Sequence, residues 1–204
     1  KAVVILAGGF SKRFGQDKCL KELGGKPLVA HVLNRVSNVA DERVVVVGSE
    51  AQQNMLLRLH ELESKVVVDK YEDHSPLVGA LTGFETVRAE CALLLPCDAV
   101  FVSPEIAALL LDLCVGRSAV VPRWPNGYIE PLQAAYNVKL GKDAAIAALS
   151  DGKRDMLSMI AHLRRIRYVS TLVLRQYDEK LSTFYNINTV EDWRKAESML
   201  KKFR

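Results

Sequence analysis

The sequence has no apolar run long enough to cross a membrane, because its unbroken hydrophobic stretches span only a few residues. The first of them, "AVVIL" at residues 2–6, is also too short for the apolar core of a secretory signal. The four cysteines, Cys19, Cys91, Cys97 and Cys114, stand at no metal-ligand spacing, so we expect reduced thiols. These absences predict a cytoplasmic protein with no membrane partner.

A strong charge of either sign is also missing. The 204 residues include 28 Lys and Arg against 24 Asp and Glu, which gives a formal net charge of +4. This excess is too small and too evenly spread for a nucleic-acid surface, although it suits a small anionic ligand. Repeats, low-complexity tracts and linkers are absent as well, so we predict a single domain over residues 1–204.

Short apolar runs without polar alternation recur along the chain. Such runs are typical of strands buried on both faces of a parallel sheet. Because they alternate with helix-like segments, we predict an α/β fold: a three-layer, open, mostly parallel sheet with helices on both faces. The runs are "AVVIL", "RVVVVG", "KVVVD", "CALLLP" and "SAVVP".

Helix-start signals lie between these runs. The segment "KPLVAHVLNRVSNVA" carries Pro27 where a first-turn proline belongs. Ser49 and Gln52 have capping-box spacing, and Ser75 and Ser103 each precede a proline at the start of a helical pattern.

The alternation loosens after about Pro122. We predict a strand in "YIEPLQAAY", then two short helices to about residue 162. A closing helix, "TVEDWRKAESMLKKF", has Thr189 as its cap with Asp192.

The loop after the first run combines glycines with several cations. Gly8 and Gly9 allow backbone N–H groups to approach an anion, and Arg13 and Lys18 add full charges. In open α/β sheets, ligands bind at the carboxyl ends of the strands, which is where this loop lies. The Walker A and dinucleotide-binding glycine patterns are both absent, so the loop predicts a polyphosphate site of another kind.

The stretch "LAGGFSKRFGQDK" at residues 6–18 resembles the signature L-A-G-G-x-S-x-R-x-G-x-D-K of the molybdenum cofactor guanylyltransferase (MobA) family. The resemblance continues over essentially the whole chain through "LGGKPL", "DKYEDHSPLVGALTG", "LLPCDAVFVS", "EPLQAAY" and "FYNINTVEDW". Ser75, Val100 and Val190 depart from the family pattern, which has Gly, Pro and Pro at these places. The resemblance implies a Rossmann-like nucleotidyltransferase fold.

The resemblance also implies a reaction. An enzyme of this family transfers GMP from Mg-GTP to the phosphate of molybdenum-bound molybdopterin, and pyrophosphate leaves. The implied cofactor is Mg²⁺, and the implied partners are GTP and a molybdopterin-type acceptor. We expect residues 1–122 to bind the nucleotide and residues 123–204 to bind the acceptor. We also expect a monomer or weak homo-oligomer that meets cofactor-delivery and acceptor enzymes.

Three side chains are the candidate catalytic residues. Lys18 would stabilise charge on the α-phosphate, and Arg13 would hold the β and γ groups. Asp98 follows an apolar run and offers the hard oxygen ligand that Mg²⁺ requires, although an aspartate there could also belong to a turn or a helix start. The resemblance supports all three assignments.

The remaining candidates would bind the two substrates. Asp69 could accept hydrogen bonds from the N1–H and amino group of guanine, a donor pair that adenine lacks, or it could form a turn. Asn186 and Asn188 alternate on an extended segment and could face the acceptor or the metal, although an asparagine before a helix cap is common. The nucleotide-binding set is Leu6, Ala7, Gly8, Gly9, Ser11, Arg13, Gly15, Lys18, Asp69, Pro76, Leu77 and Gly79.

Other functions stay open from the sequence alone. The chain could use CTP or another phosphate acceptor, or it could bind nucleotide without catalysing transfer. Lys18 and Asp98 argue against the last alternative, because binding alone needs no metal carboxylate at the scissile phosphate.

Overall fold

The computed structural model describes residues 1–8, 17–59, 63–71 and 75–202. Its strands are β1 Ala2–Leu6, β2 Glu22–Leu23, β3 Lys26–Pro27, β4 Glu42–Val47, β5 Lys65–Val68, β6 Cys91–Pro96, β7 Ala119–Arg123, β8 Ala134–Asn137 and β9 Arg167–Ser170. Its α-helices are α1 Leu28–Arg35, α2 Glu50–Leu57, α3 Pro76–Thr86, α4 Pro104–Cys114, α5 Val138–Ser150, α6 Met156–Ala161, α7 Thr171–Leu174 and α8 Val190–Lys202. Short 3₁₀ helices lie at Lys18–Leu20 and Ser182–Phe184.

The main sheet has the strand order β5–β4–β1–β6–β8–β7–β9. Neighbouring strands are parallel except at β8, which runs antiparallel to both β6 and β7. Strands β2 and β3 form a separate antiparallel pair. The predicted open, mostly parallel sheet is therefore confirmed.

Helices cover both faces of this sheet, as predicted, and alternate residues of β1 point to opposite faces. Val3 and Ile5 pack with residues of α1 and α4 in one apolar cluster. Ala2 and Val4 pack with residues of α3, α5 and α6 in another. Because β1 has no solvent face, its sequence is apolar at every position. Within the described ranges, the structure contains no helix with the length and hydrophobicity of a membrane span.

A third apolar cluster joins distant parts of the chain at the carboxyl edge of the sheet. Phe101, in the turn after β6, packs with Leu23 of the β2–β3 pair, with Ile187 and with Ala196 of α8. Val100, which replaces the family's proline, is also buried in this cluster. The cluster therefore holds the segment before α8 next to the turn that follows β6.

Serine caps begin the predicted helices. Ser75 Oγ accepts a hydrogen bond from the backbone N–H of Val78 at 3.3 Å, and Ser103 Oγ accepts one from Ile106 at 3.2 Å. At α8, Thr189 Oγ1 accepts from Asp192 N at 3.0 Å, while the Asp192 carboxylate accepts from Thr189 N at 2.8 Å. These caps satisfy N–H groups that the first helical turn leaves without a partner.

Several predicted elements need correction. Pro27 is not inside the first helix, because it pairs with Glu22 in the β2–β3 pair and α1 begins one residue later. The strand predicted in "YIEPLQAAY" is limited to β8, because the backbone turns just before it, with Gln133 N bonded to Glu130 O at 3.2 Å. The first of the two following helices, α5, has 13 residues and is not short. Strand β9 was not predicted, since an edge strand with exposed arginine and tyrosine lacks an apolar run.

Gly83 allows α3 to lie directly against β1. A Cβ at this position would lie 2.4 Å from Cγ1 of Val4. We expect Gly83→Ala to lower the free energy of unfolding by about 1–3 kcal/mol, because overpacking outweighs the gain in helix propensity. The fall in melting temperature would be about 2–4 °C per kcal/mol. In urea denaturation, the double variant Gly83→Ala with Val4→Ala should lose less free energy of unfolding than the sum of the two single variants. The reason is that Val4→Ala removes the methyl group with which the new Cβ clashes. Additive costs would show that this contact is unimportant.

Candidate functional site

A cavity of about 390 Å³ opens at the edge where β1, β4, β5 and β6 end. Parallel strands place their carboxyl ends at one edge of a sheet, and connecting loops there surround a common space. Among the described residues, the cavity is lined by Leu6, Gly8, Lys18, Val46, Asp69, Ser75, Pro76, Gly79, Pro96, Cys97, Asp98 and Leu132.

Lys18, Asp98 and Asn188 meet at this cavity from three parts of the chain. Asp98 lies in the turn after β6, and its carboxylate forms an ion pair with the ammonium group of Lys18. The Lys18 Nζ atom also donates a hydrogen bond to Asn188 Oδ1 at 2.9 Å. The side chains of Lys18 and Asp98 are only 15% and 9% exposed, so solvent screens their attraction weakly. The cluster places a cation, an anion and an amide oxygen side by side.

Cys97 lies next to Asp98 but is not a plausible nucleophile. Burial raises the pKa of its thiol well above the ordinary value, and the neighbouring Asp98 charge raises it further. Burial likewise raises the pKa of Cys19 to about 12, with the charge of Asp17 as a second cause. Both thiols therefore stay protonated at neutral pH and act as small apolar side chains.

Asp69 stands at the opposite side of the cavity, directly after β5. Its backbone N–H donates to Val47 O at 2.7 Å, which fixes the backbone at this point. Thr82 Oγ1 donates to Asp69 Oδ1 at 2.7 Å, and the Tyr71 N–H approaches the same oxygen at 3.4 Å. Sequence reasoning missed Thr82, although its spacing of three residues from Gly79 places both on one face of α3.

Gln52 connects the end of the glycine-rich loop at Asp17 with the loop after β4. Its Nε2 donates to Asp17 Oδ1 at 2.8 Å, and its Oε1 accepts from Gly48 N at 2.7 Å. The predicted cap is present, since Ser49 Oγ accepts from Gln52 N at 3.2 Å. The glutamine side chain, however, returns to Gly48 instead of the cap residue itself. A Cβ on Gly8 would lie 3.0 Å from Gly48 N, so a side chain at this position would require the two loops to shift apart.

Asn186 has a partner that the sequence did not reveal. Gln133 Nε2 donates to Asn186 Oδ1 at 3.0 Å, and Gln133 itself is 2% exposed. Leu132, its neighbour, lines the cavity. Ile187 is buried between the two asparagines, so Asn186 and Asn188 both lie on the other side of this segment.

The structure thus brings many of the predicted residues to one place. Ala7 and Leu77 do not line the cavity: they are buried in the cores on the two faces of the sheet. Gly9, Ser11, Arg13 and Gly15 lie outside the described residues. The predicted residues that line the cavity are Leu6, Gly8, Lys18, Asp69, Pro76, Gly79 and Asp98.

The donor set at Asp98 fits Mg²⁺. In the described ranges, no cluster of three or more His, Cys, Asp or Glu side chains could hold a metal ion. Mg²⁺ does not need such a cluster, because it usually keeps several waters and binds one or two carboxylates together with substrate phosphates. The Asp98 carboxylate with the nearby Asn188 amide oxygen supplies hard oxygen ligands of this kind.

Comparison with known proteins gives consistent results. The sequence profile of the MobA-like NTP transferase domain matches residues 3–167. A protein of Methanosarcina mazei is 32% identical over 94% of this chain and 88% of its own length, and one of Bacillus anthracis is 30% identical over 98% and 96%. Both carry the name "Probable molybdenum cofactor guanylyltransferase". The crystal structure of molybdopterin-guanine dinucleotide biosynthesis protein A from Archaeoglobus fulgidus superposes with a TM-score of 0.85, at 28% identity over 99% of this chain and 100% of that one.

Replacing Gln52 tests whether its side chain holds the loop after β4 against the end of the glycine-rich loop. In Gln52→Leu, the Gly48 N–H loses its acceptor, so its hydrogen exchange should accelerate by about tenfold or more. Gln53→Leu is the matched control, because that amide bonds to Val66 O at 2.8 Å and leaves Gly48 untouched. Equal exchange of the Gly48 amide in the two variants would refute the connection.

Proposed function

This chain belongs to the family of MobA-like NTP transferases, and we propose that it transfers GMP from GTP to the phosphate of a molybdopterin-type acceptor, with release of pyrophosphate. The observation that supports this proposal most directly is the Lys18–Asp98–Asn188 cluster, whose lysine and aspartate line a cavity large enough for a nucleotide. The names of the full-length relatives support the choice of guanine and of the acceptor.

Lys18 is suited to hold the α-phosphate. A lysine ammonium has three donors, and among the described residues two of them engage Asp98 and Asn188. The third can bind a phosphate oxygen while the other two keep the side chain in place. Charge that develops on the phosphate during transfer then meets a cation that needs no further reorganisation. Arg13 would act on the outer phosphates.

Asp98, with Asn188 beside it, would hold Mg²⁺. When bound, the ion neutralises charge on the triphosphate and on the departing pyrophosphate. Asp98 supplies the only charge of the pair, so its carboxylate decides whether a divalent cation is retained. Positioning and charge neutralisation then account for the reaction, and no covalent enzyme intermediate is needed.

Asp69 would recognise the base at the other side of the cavity. A carboxylate is an acceptor only, so it pairs with the adjacent N1–H and amino donors of guanine. Adenine presents a ring acceptor at the corresponding place, and a carboxylate repels it. Pro76 and Gly79 on α3 would form the wall beside the base, because both line the cavity with Asp69.

The acceptor would approach from the side of Asn186 and Asn188. Asn188 contacts Lys18, and Asn186 is held by Gln133, so both side chains have fixed positions near the reacting phosphate. Both asparagines belong to residues 123–204, which supports the proposal that this half binds the acceptor. The four cysteines are buried and form no disulfide bond, which supports a place for the protein in the cytoplasm.

Asp98→Asn tests the metal assignment. The amide keeps the size of the side chain and one oxygen for Lys18, but it loses the charge that would retain Mg²⁺. We expect pyrophosphate release with GTP and acceptor to fall by roughly a thousandfold, since the metal's electrostatic stabilisation is worth several kcal/mol. The fold should stay intact, although the melting temperature should fall, because Lys18 loses the negative charge that offsets its burial.

Asp112→Asn serves as the control, because Asp112 is 61% exposed and pairs only with Lys1 among the described residues. Its turnover should stay near the wild-type value. Near-normal turnover in a well-folded Asp98→Asn variant would remove Asp98 from the metal site.

A further inference from the structure

We propose that Thr82 determines base specificity by fixing the orientation of the Asp69 carboxylate. The inference rests on the proposed function, because it assumes that Asp69 meets the base. It adds a positioning residue that does not itself line the cavity and that was not among the candidate residues chosen from the sequence.

The side chains of Thr82 and Asp69 are in direct contact. Thr82 is fully buried on α3, and its hydroxyl donates to Asp69 Oδ1 at 2.7 Å. A hydroxyl group has one proton, and in Thr82 that proton is donated to Asp69. A hydrogen bond to an ionised carboxylate is about twice as strong as one between neutral groups.

The other oxygen of the Asp69 carboxylate lies beside Gly79 at the cavity. Oδ2 of Asp69 lies 4.0 Å from the place that a Cβ on Gly79 would occupy, and both residues line the cavity. Among the described residues, the hydrogen bonds of the carboxylate go to Oδ1 and leave Oδ2 available. The hydroxyl thus pulls one oxygen toward α3, and the second oxygen is presented beside Gly79.

The fixed orientation of the Asp69 carboxylate would affect how the base binds. A carboxylate turns easily about its last bond, and the two oxygens are equivalent unless a neighbour distinguishes them. With Thr82 in place, the direction of Oδ2 is set before the base arrives, so binding does not have to order it. Without the hydroxyl, the weak 3.4 Å approach of Tyr71 N is the remaining restraint from the described residues. The carboxylate should then discriminate less well between guanine and bases with an acceptor at the same place.

A purely structural role for Thr82 makes a different prediction. Thr82 could simply fill space between α3 and the sheet, where valine has nearly the same shape. In that case Thr82→Val would keep base selectivity, and only stability would change. A variant that tests the proposal must therefore remove the hydroxyl group of Thr82 and keep the volume of its side chain.

The experiment measures dissociation constants of GTP and ATP with Mg²⁺ by calorimetry, in the wild type and in Thr82→Val, Thr82→Ala, Thr82→Ser and Asp69→Asn. We expect the ratio of ATP to GTP dissociation constants to fall by about tenfold in Thr82→Val, the size of effect given by one lost hydrogen bond to a charged group. Thr82→Ser keeps the hydroxyl and should retain the ratio. Thr82→Ala provides the same test as valine if the latter packs poorly.

Steady-state kinetics of the Thr82 variants distinguish a residue that positions the base from one that takes part in the transfer step. Because the base is bound equally in the ground and transition states, loss of the hydroxyl should raise the KM for GTP and leave kcat nearly unchanged. A fall in kcat at constant KM would overturn the proposal.

The variants also distinguish this inference from the proposed function. If Asp69→Asn loses selectivity while Thr82→Val and Thr82→Ala retain it, the role of Thr82 is wrong and base recognition by Asp69 stands. If Asp69→Asn retains selectivity, the role of Thr82 fails together with that of Asp69. If the wild type shows no preference for GTP, the proposed nucleotide is wrong.

Discussion

Strand β1 lies between β4 and β6 with helices on both sides, and this burial constrains the whole site. Its residues from Ala2 to Ile5 are fully buried, so the chain can become polar only after the strand has left the sheet. The exit at Gly8 touches Gly48 backbone to backbone, and neither position has room for a side chain without displacement. The loops that follow neighbouring strands therefore lie in contact at the carboxyl edge of the sheet, and the cavity forms there.

The buried charges of this edge are arranged to compensate one another. Lys18 and Asp98 are mostly shielded from water, and either alone would carry a large desolvation cost. Their pairing, with Asn188 as a further partner, keeps both ionised groups in place before a ligand arrives. Asp69 is similarly held by Thr82 at the other side of the cavity. The first group would act on the phosphates, and the second would recognise the base.

Much of this arrangement could be predicted from the sequence, because buried parallel strands and glycine loops leave local patterns. The apolar runs located β1, β4, β5, β6 and β7, and the serine caps located α3 and α4. Contacts between distant residues left no such pattern. Thr82, Gln52 and Gln133 reach their partners across 13, 35 and 53 positions, and a single polar residue on a helix or before a strand does not indicate its partner. Strand β9 escaped detection because an edge strand is partly polar.

The central claim is that the α-phosphate of GTP, with its guanosine, is transferred to a molybdopterin phosphate. The most direct measurement follows GTP labelled at the α-phosphate, with Mg²⁺ and molybdenum-loaded molybdopterin, and identifies the labelled product by mass. The account predicts that the label appears in a guanine dinucleotide in amounts equal to the pyrophosphate released, and that no label moves when the acceptor is omitted. Recovery of the label only in GDP, or equal transfer from CTP, would contradict it.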